Sequence, residues 1–140
     1  MQLRTMKYKI CITLLVLTLG FTFRSQGQIN YDGYYHTVDS FSAFRYYLRF
    51  YPDGTVIGVN TAGKPDNLVP WFKKENKTPY RGKYKFENNT IKFDMVSEQG
   101  TVSYEGIMEE YNRIVLTVKS LINKYVGREE YFFMRIETIK

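Results

Sequence analysis

The sequence predicts an all-β fold, an antiparallel up-and-down barrel of about eight strands. Runs of β-branched and aromatic residues recur between residues 33 and 136, separated by turn residues, and no stretch keeps a helical period. The last run, residues 131–134, is apolar on both faces, and such a strand would promote aggregation at a sheet edge. Pairing of the last strand with the first would remove that edge. An open sheet or a two-sheet sandwich is the structural alternative, because turn patterns alone do not determine closure.

Residues 1–27 have the layout of a secretory signal peptide. Three basic residues precede a mainly apolar run, residues 10–23, and Ser25-Gln26-Gly27 provides a small-x-small cleavage pattern. The alternative is a membrane anchor, but about fourteen apolar residues are fewer than the ~20 of a spanning helix. We therefore expect export to the periplasm or the extracellular space, and a mature domain at residues 28–140 without a membrane span.

Removal of the signal peptide changes the charge and the cysteine content. The whole chain has a formal charge of +6, from 20 basic and 14 acidic residues. Cleavage would lower it to +2 by removing four basic residues and no acidic one, namely Arg4, Lys7, Lys9 and Arg24. A charge this small does not favour a nucleic-acid partner. Cys11, the only cysteine, would be removed too, so the domain could form neither a disulfide nor a thiolate metal site.

The first strand is predicted over residues 33–39, and the second, over residues 43–51, alternates with a period of two. Its face toward the core carries Phe44, Tyr46, Leu48 and Phe50. Its face toward water carries Arg45, Tyr47, Arg49 and Tyr51. Pro52-Asp53-Gly54 combines the fixed φ of proline with the left-handed position of glycine, so residues 55–61 should return as the hairpin partner.

The next connection, residues 62–81, is longer than an ordinary hairpin loop. It contains Trp71, the only tryptophan, beside Phe72. Two large rings are poor choices for a segment that stays in water, so we expect this segment to cover one mouth of the barrel with both rings turned inward. One or two helical turns are expected over residues 66–75, with Pro70 in the first turn.

Short turns predict the remaining strands and their register. Asn88-Asn89 and Gln99-Gly100 fit two-residue loops, and residues 110–112 fit a three-residue loop with Asn112 left-handed. The expected cross-strand pairs are Phe86 with Ile91, Met95 with Tyr104, Tyr104 with Val118 and Met108 with Ile114. The last strand is predicted over residues 131–136. The expected core includes Phe44, Leu48, Phe86, Phe93 and Leu116.

The two ends of the predicted meander carry a family resemblance. Asp32-Gly33-Tyr34-Tyr35 opens the first strand, and Arg135 lies on the last. The chain therefore resembles the small secreted lipocalin-like proteins of bacteria, which have calycin-type eight-stranded barrels. The resemblance implies that Gly33 and Tyr35 match the Gly-x-Trp element of lipocalins, with Tyr35 in place of Trp, and that Arg135 packs across the Tyr35 ring and closes the barrel. It also implies a scaffold that binds small apolar molecules or acts as an inhibitor.

The sequence contains no pattern for catalysis or metal binding. His36, the only histidine, has no cysteine or second histidine to complete a metal site and no nucleophile to activate, so we expect a strand histidine with its ring at the surface. Glu109-Glu110 and Glu129-Glu130 lie beside predicted turns, and neighbouring strand residues point to opposite faces. These pairs are therefore interpreted as solvated charge rather than acid–base dyads. We expect no enzyme activity and no cofactor.

The inward aromatic residues predict non-catalytic binding of a small apolar or amphipathic ligand inside the barrel. An eight-stranded barrel is either filled by its own side chains or encloses one small ligand, and buried tyrosine hydroxyls need partners. The expected ligand-binding residues are Tyr46, Phe50, Tyr84, Tyr104, Trp71 and Phe72. The alternative is a surface-binding or inhibitor module that contacts a protein or a glycan through residues 62–81 and a basic-aromatic sheet face. That face consists of Arg45, Tyr47, Arg49, Tyr51, Lys83, Lys85 and Lys92.

Overall fold

The computed structural model describes residues 27–38, 41–77, 79–109 and 112–139. Within these segments the chain forms eight β-strands and one 3-10 helix, which spans Pro65–Leu68. The strands are β1 (Gly33–Thr37), β2 (Arg45–Phe50), β3 (Thr55–Thr61), β4 (Tyr80–Glu87), β5 (Thr90–Ser97), β6 (Gly100–Glu109), β7 (Arg113–Ser120) and β8 (Val126–Arg135). The predicted signal peptide, apart from Gly27, lies outside the described residues.

The eight strands form a closed antiparallel barrel in which each strand pairs with the next and β8 pairs with β1. The closing ladder runs from Gly33 opposite Arg135 to Thr37 opposite Tyr131. Closure pairs residues 131–134 with β1, and Tyr131 and Phe132 also pair with β7, so this apolar run has no free edge facing β1. The predicted closed meander is confirmed, and the open sheet and the sandwich are wrong.

Three predicted turns are confirmed. Gly54 has a φ of 83°, and Asn88 and Asn89 have φ values of 50° and 62°, as a tight hairpin turn requires. Asn112 is left-handed with a φ of 61°, while the two preceding loop residues lie outside the described part of the chain. The pairs Phe86 with Ile91, Tyr104 with Val118 and Met108 with Ile114 form as predicted.

The register between β5 and β6 differs from the prediction by two residues. The turn occupies Glu98 and Gln99, and Gly100 is the first residue of β6. Phe93 therefore lies opposite Tyr104, and the predicted pair of Met95 with Tyr104 is wrong. Gly100 has a φ of 136°, so the glycine ends the turn instead of occupying it. A slip of two residues keeps every side chain on its predicted face.

Strand ends account for other differences. β1 ends at Thr37, two residues before the predicted end, and β8 begins at Val126, five residues before the predicted start. β2 begins at Arg45, so Phe44 precedes the ladder and is 58% exposed. The expectation that Phe44 belongs to the core is wrong, because its backbone turns at Ser42, whose hydroxyl accepts the Phe44 N–H at 3.1 Å.

The inner core fills most of the barrel. Its fully enclosed side chains include Tyr35, Leu48, Phe50, Val56, Ile91, Phe93, Met95, Tyr104, Ile114, Leu116 and Tyr131. Leu48, Phe93 and Leu116 are buried as predicted, and Phe86 is partly buried against the same cluster. Phe50 meets Tyr84 edge-on, with ring centroids 5.1 Å apart. Aromatic rings thus fill the interior from its middle to the end where the β2–β3 and β4–β5 turns lie.

The segment before β1 closes the lower end of the barrel, where the β2–β3 and β4–β5 turns lie. Ile29 is buried in the inner core, and Gly27 lies against Met108. The Asn30 N–H donates to the Tyr35 hydroxyl at 2.9 Å. These contacts seal one end, so any access to the interior is from the opposite end.

A second apolar cluster lies outside the barrel, over β1, β2 and β3. This outer cluster consists of Tyr34, Tyr47, Tyr51, Ile57, Leu68, Phe72, Ile136 and Ile139. The β3–β4 connection and the chain after β8 each supply two of these side chains. The Phe72 ring stacks on Tyr34 with centroids 4.5 Å apart, and the Tyr51 hydroxyl donates to the Phe72 carbonyl oxygen. The connection is thus held against the barrel wall.

The predicted cover over the barrel mouth is therefore wrong. Phe72 belongs to the outer cluster and Trp71 is 46% exposed, so residues 62–81 turn neither ring toward the interior. The expectation that Tyr47 and Tyr51 meet water is wrong for the same reason. Both faces of β2 are buried, because the connection supplies an apolar layer that alternation along a strand does not reveal.

The helical turns expected over residues 66–75 are also shorter and earlier than predicted. The 3-10 helix begins at Pro65, and Pro70 lies beyond its end at Leu68. Proline suits the first helical position because its missing N–H is not needed there. Leu68, at the end of this helix, is one of the side chains of the outer cluster.

The expected packing of Arg135 on Tyr35 is wrong. Tyr35 is fully buried with its ring against Phe50 and Phe133, whereas the Arg135 side chain is 73% exposed. The Arg135 Nε donates to Asp32 Oδ2 at 2.8 Å. Arg135 is the last residue of β8, so its side chain reaches Asp32, just before β1, instead of the Tyr35 ring.

Candidate functional site

A cleft of about 600 Å³ lies at the open end of the barrel. Its lining comes from the ends of β1 and β3, the start of β2, the middle of β6, the first half of β8, and the connections between β1 and β2 and between β7 and β8. The lining residues are Thr37, Val38, Ser42, Phe44, Tyr46, Asn60, Tyr104, Tyr125, Arg128, Glu129, Glu130 and Phe132. The cleft is open to solvent and reaches inward to the tyrosines of the inner core.

The cleft exists because β1 is shorter than the strand that closes the barrel. β1 pairs with β8 only as far as Thr37 opposite Tyr131, and residues 126–130 have no described partner on that side. At the same level the Tyr46 N–H donates to Thr37 Oγ1 at 3.0 Å, so a side chain ends the ladder between β1 and β2. Above this point the described residues form no ladder between β8 and β2.

Tyr46 and Tyr104 form the floor of the cleft. Their rings are nearly parallel, with centroids 6.5 Å apart, and their hydroxyl groups lie near each other. Burial raises the pKa of Tyr46 to about 12, and it also raises the pKa of Tyr104, with the neighbouring Tyr46 hydroxyl as a further cause. Gly58 makes room for this arrangement, because a Cβ there would lie 2.5 Å from Tyr46 Oη.

Glu129 brings a carboxylate into the same cleft. It lies opposite Leu116 in the ladder between β7 and β8, and Leu116 belongs to the inner core. Residues opposite each other in an antiparallel pair share a face, so Glu129 points inward. The buried Tyr131 hydroxyl donates to Glu129 Oε2 at 2.5 Å, and the Tyr125 hydroxyl lies near the same carboxylate.

Glu129 influences the surrounding phenols electrostatically. Burial is the main cause that raises the pKa of Tyr131 well above its usual value, and the charge of Glu129 is the next. The same carboxylate contributes, after burial, to the raised pKa of Tyr125, Tyr46 and Tyr104. Four phenols thus surround one inward carboxylate and remain protonated at neutral pH.

The predicted ligand-binding residues divide into three groups. Tyr46 and Tyr104 line the cleft. Phe50 and Tyr84 belong to the filled lower part of the barrel, where the Tyr84 hydroxyl donates to the Tyr51 carbonyl oxygen at 2.8 Å. Trp71 and Phe72 lie outside the barrel wall, so they do not line the interior.

The interpretation of Glu129 as solvated loop charge is wrong, because its side chain is partly buried on the inward face of β8. The cause is the start of β8, because an early strand start places Glu129 in the same alternating series as Tyr131 and Phe133. Counting back by two residues from the inward Tyr131 would have placed Glu129 on the inward face. Glu130 points outward, and its Oε2 lies 3.3 Å from Arg113 Nη1, so the two carboxylates point to opposite faces as expected.

His36 lies on the outward face of β1. Its ring is 9% exposed and packs on Tyr47 with centroids 6.0 Å apart, so the expectation of a surface ring is wrong. No group of three or more His, Cys, Asp or Glu side chains is placed to hold a metal ion in the described segments. No helix there is long and apolar enough to cross a membrane.

The expected basic-aromatic face is only partly available at the surface. Tyr47 and Tyr51 are buried in the outer cluster, and Arg49 lies over the Tyr51 ring at 4.7 Å. The lysines of the β4–β5 hairpin are exposed, and Lys92 pairs with Glu105 at 3.2 Å. The rings that would stack on a glycan are therefore covered by the chain itself.

A scan of the chain against protein-family models finds no match. A search of solved structures finds no significant match either. The role of the cleft is therefore inferred from its own residues.

Proposed function

We propose that this domain is a non-catalytic binding protein whose cleft takes a small amphipathic molecule. The supporting observation is the cleft of about 600 Å³ at the open end of a barrel that is otherwise filled. Ligand pockets of roughly 300 to 1,000 Å³ hold small molecules, so the volume suits one ligand of modest size.

The lining of the cleft favours an amphipathic ligand. Val38, Phe44 and Phe132 are exposed apolar side chains at its rim. The floor carries the hydroxyls of Tyr46 and Tyr104. A few polar groups among aromatic rings fix the orientation of a ligand, while the rings supply contact area.

The family interpretation is part of the same proposal. An eight-stranded antiparallel meander closed between its first and last strands supports a likeness to lipocalin-like binding proteins. Gly33 and Tyr35 lie in the closing ladder of β1, which is the place the likeness implies. Arg135 adds no support, because it pairs with Asp32.

We also propose that the chain is exported and cleaved near Gly27, on the grounds of its N-terminal sequence. A mature chain that begins at Gln28 would keep Ile29, whose side chain fills the lower end of the barrel. The intact mass of the protein recovered from the medium or the periplasm gives the cleavage site. A mass that includes residues 1–27 would contradict this proposal.

The binding proposal is tested by native mass spectrometry of the domain purified gently from its own host. The expected result is an additional mass of one small molecule that is lost on denaturation. Asn60→Trp places a large ring in the cleft and should abolish the added mass, because Asn60 lines the cleft at the end of β3. Lys85→Trp is the matched control, since Lys85 is exposed on β4 away from the cleft residues.

Two results would overturn the proposal. One is a mass equal to that of the polypeptide alone, together with no thermal stabilisation by a panel of amphipathic amines, alcohols and carboxylates. The other is a retained molecule that persists equally in Asn60→Trp and Lys85→Trp, since this would place the ligand elsewhere.

A further inference from the structure

Glu129 is a carboxylate inside a cleft that is otherwise lined by neutral phenols on its inner side. The Tyr131 hydroxyl donates to its Oε2, and the Tyr125 hydroxyl lies nearby. A carboxylate has two oxygens and about four acceptor positions, so these two phenols leave acceptor positions unused. Within the described residues, no Lys, Arg or His side chain forms an ion pair with Glu129.

The environment makes this charge costly without a cation. Tyr131 and Tyr104 beside Glu129 are buried, so part of the surroundings of the carboxylate is protein instead of water. A charge withdrawn from water is stabilised by an opposite charge and by hydrogen bonds to it. Phenols supply hydrogen bonds, and a cationic ligand in the cleft would supply the opposite charge.

Tyrosine rings lie beside this carboxylate on the inner side and at the rim of the cleft. Tyr46 and Tyr104 are nearly parallel, and Tyr131 meets Tyr46 edge-on with centroids 6.5 Å apart. Tyr125 lies at the rim, where its hydroxyl reaches over Gly127. Faces of tyrosine rings attract an ammonium group within about 6 Å, and they do so more strongly when water is excluded.

We propose that the ligand of the cleft is an organic cation, an ammonium group on an apolar body, with Glu129 as its counter-ion. This inference rests on the proposed binding function and specifies its ligand class. The ammonium group donates to the free acceptor positions of Glu129 and lies among the tyrosine rings. The apolar body extends over the rim residues Phe44 and Phe132 toward solvent.

Two other charged residues line the cleft, and neither replaces Glu129. Glu130 faces outward and pairs with Arg113. Arg128 lies opposite Thr117, an exposed residue of β7, and so belongs to the outward face of β8. An anionic ligand would have to bind Arg128 at the outer margin, where it would not reach the phenols of the floor.

Isothermal titration calorimetry with three probes of one size tests the charge preference. The probes are 2-phenylethylamine, 2-phenylethanol and phenylacetate, which are cationic, neutral and anionic at neutral pH. We expect the amine to bind at least about tenfold more tightly than the alcohol, as a charge-assisted hydrogen bond predicts. We expect the acid to bind more weakly than the alcohol.

Glu129→Gln removes the charge of the side chain and keeps its shape. Its amide oxygen can still accept the Tyr131 hydroxyl, and we expect the preference for the amine over the alcohol to disappear. Glu105→Gln is the matched control, because it removes the same charge from an exposed side chain of β6 that does not line the cleft. It should keep the preference of the native protein.

The outcomes distinguish this inference from the binding function. If the alcohol binds as tightly as the amine in the native protein, or the acid binds best, the cation inference is wrong while the binding function stands. An amine preference that survives in Glu129→Gln also overturns the inference. If none of the probes binds and native mass spectrometry shows no retained molecule, the proposed function itself fails. The comparison in the native protein needs no variant, so it decides the matter even if Glu129→Gln folds poorly.

Discussion

Gly58 shows how a single residue shapes the interior. It lies on the inward face of β3, where a Cβ would meet Tyr46 Oη at 2.5 Å and Met95 Cε at 3.0 Å. The absence of a side chain therefore creates the space that the Tyr46 hydroxyl occupies. This residue links the backbone of β3 to the position of a phenol in the cleft floor.

We expect Gly58→Ala to reduce the free energy of unfolding by about 1 to 3 kcal/mol, the usual cost of overpacking. The added methyl group must displace Tyr46, so binding in the cleft should weaken as well. Urea denaturation measures the stability. A stability equal to that of the native protein would mean that Tyr46 moves aside without cost.

Leu48 provides the corresponding test of the inner core. It is fully buried, so Leu48→Ala should lower the free energy of unfolding by about 2 to 5 kcal/mol through lost burial and a cavity. Leu121→Ala makes the same change at a side chain that is 76% exposed, and it should cost less than about 0.5 kcal/mol. Equal effects of the two substitutions in urea denaturation would contradict the assigned core.

At the residue scale, alternation along a strand predicts burial well only where the strand ends are known. Leu48 and Phe93 lie inside ladders, and their burial was predicted. Phe44 and Glu129 lie beside strand ends that the sequence places incorrectly, and both were misassigned. The inward position of the Glu129 carboxylate was therefore missed because the start of its strand was misplaced, and not because its chemistry is unusual.

Among the connecting elements, the β3–β4 connection owes its position to a few aromatic contacts. Phe72 stacks on Tyr34, and its carbonyl oxygen accepts the Tyr51 hydroxyl. Lys74 adds an exposed ion pair with Asp53 at 2.9 Å, which contributes little by comparison. Removal of the Phe72 ring should therefore release this segment.

We expect Phe72→Ala to lower the free energy of unfolding by about 3 kcal/mol or more, as for other buried rings. Limited proteolysis should then cut within residues 62–77, and the emission of Trp71 should shift toward that of tryptophan in water. Trp71→Phe is the control for stability, because the Trp71 side chain is half-exposed. Unchanged proteolysis of Phe72→Ala would show that other contacts hold the connection.

The β4–β5 turn is the element whose sequence and backbone agree best. Asn88 and Asn89 both have positive φ values, which asparagine tolerates and most residues do not. Asn88→Ala should therefore cost about 1 kcal/mol, while Asn88→Gly should be neutral or stabilising. Thermal unfolding of the two variants gives the comparison, and equal melting temperatures would contradict the role of the backbone angle.

Elements with short turns were predictable for this reason, and the long connection was not. A two-residue turn restricts its own φ values, so local sequence determines the register of the hairpin. The β5–β6 turn was misplaced because Gly100 suits both a position inside the turn and the first position of the strand after it. The position of residues 62–81 instead depends on Tyr34 and Ile57, which are distant in sequence, so no local pattern reveals it.

The whole molecule is stabilised by a large set of protonated phenols. Burial raises the pKa of tyrosines in the inner core, in the outer cluster and in the cleft, to about 12 for Tyr34 and Tyr46. An unfolded chain ionises its tyrosines near pH 10, so it releases protons that the folded chain still holds. The stability is therefore complete below about pH 10 and is lost as the pH rises through the higher folded-state pKa values.

We expect a spectrophotometric titration to show two groups of tyrosines. The exposed ones should ionise near pH 10, and the buried ones should ionise only as the protein unfolds near or above pH 12. Circular dichroism recorded on the same samples should show loss of the barrel together with the second group. A single transition near pH 10 with the barrel intact would contradict the buried positions.

Whole-molecule architecture was the part that the sequence predicted best. The strand count, the order and the closure follow from turn spacing and from the apolar last strand. The depth of the cleft does not, because it depends on the difference in length between β1 and β8. That difference is a property of strand ends, where sequence patterns carry the least information.

The ladder between β1 and β8 also determines the order of folding. Neighbouring hairpins close short loops, whereas this ladder joins the two ends of the domain and has the highest contact order of any pairing in the barrel. β1 is synthesised first but gains its last neighbour only when residues 131–135 have emerged. Until then β1 and β7 present free edges, so a partly synthesised chain is most prone to edge-to-edge aggregation before the barrel closes.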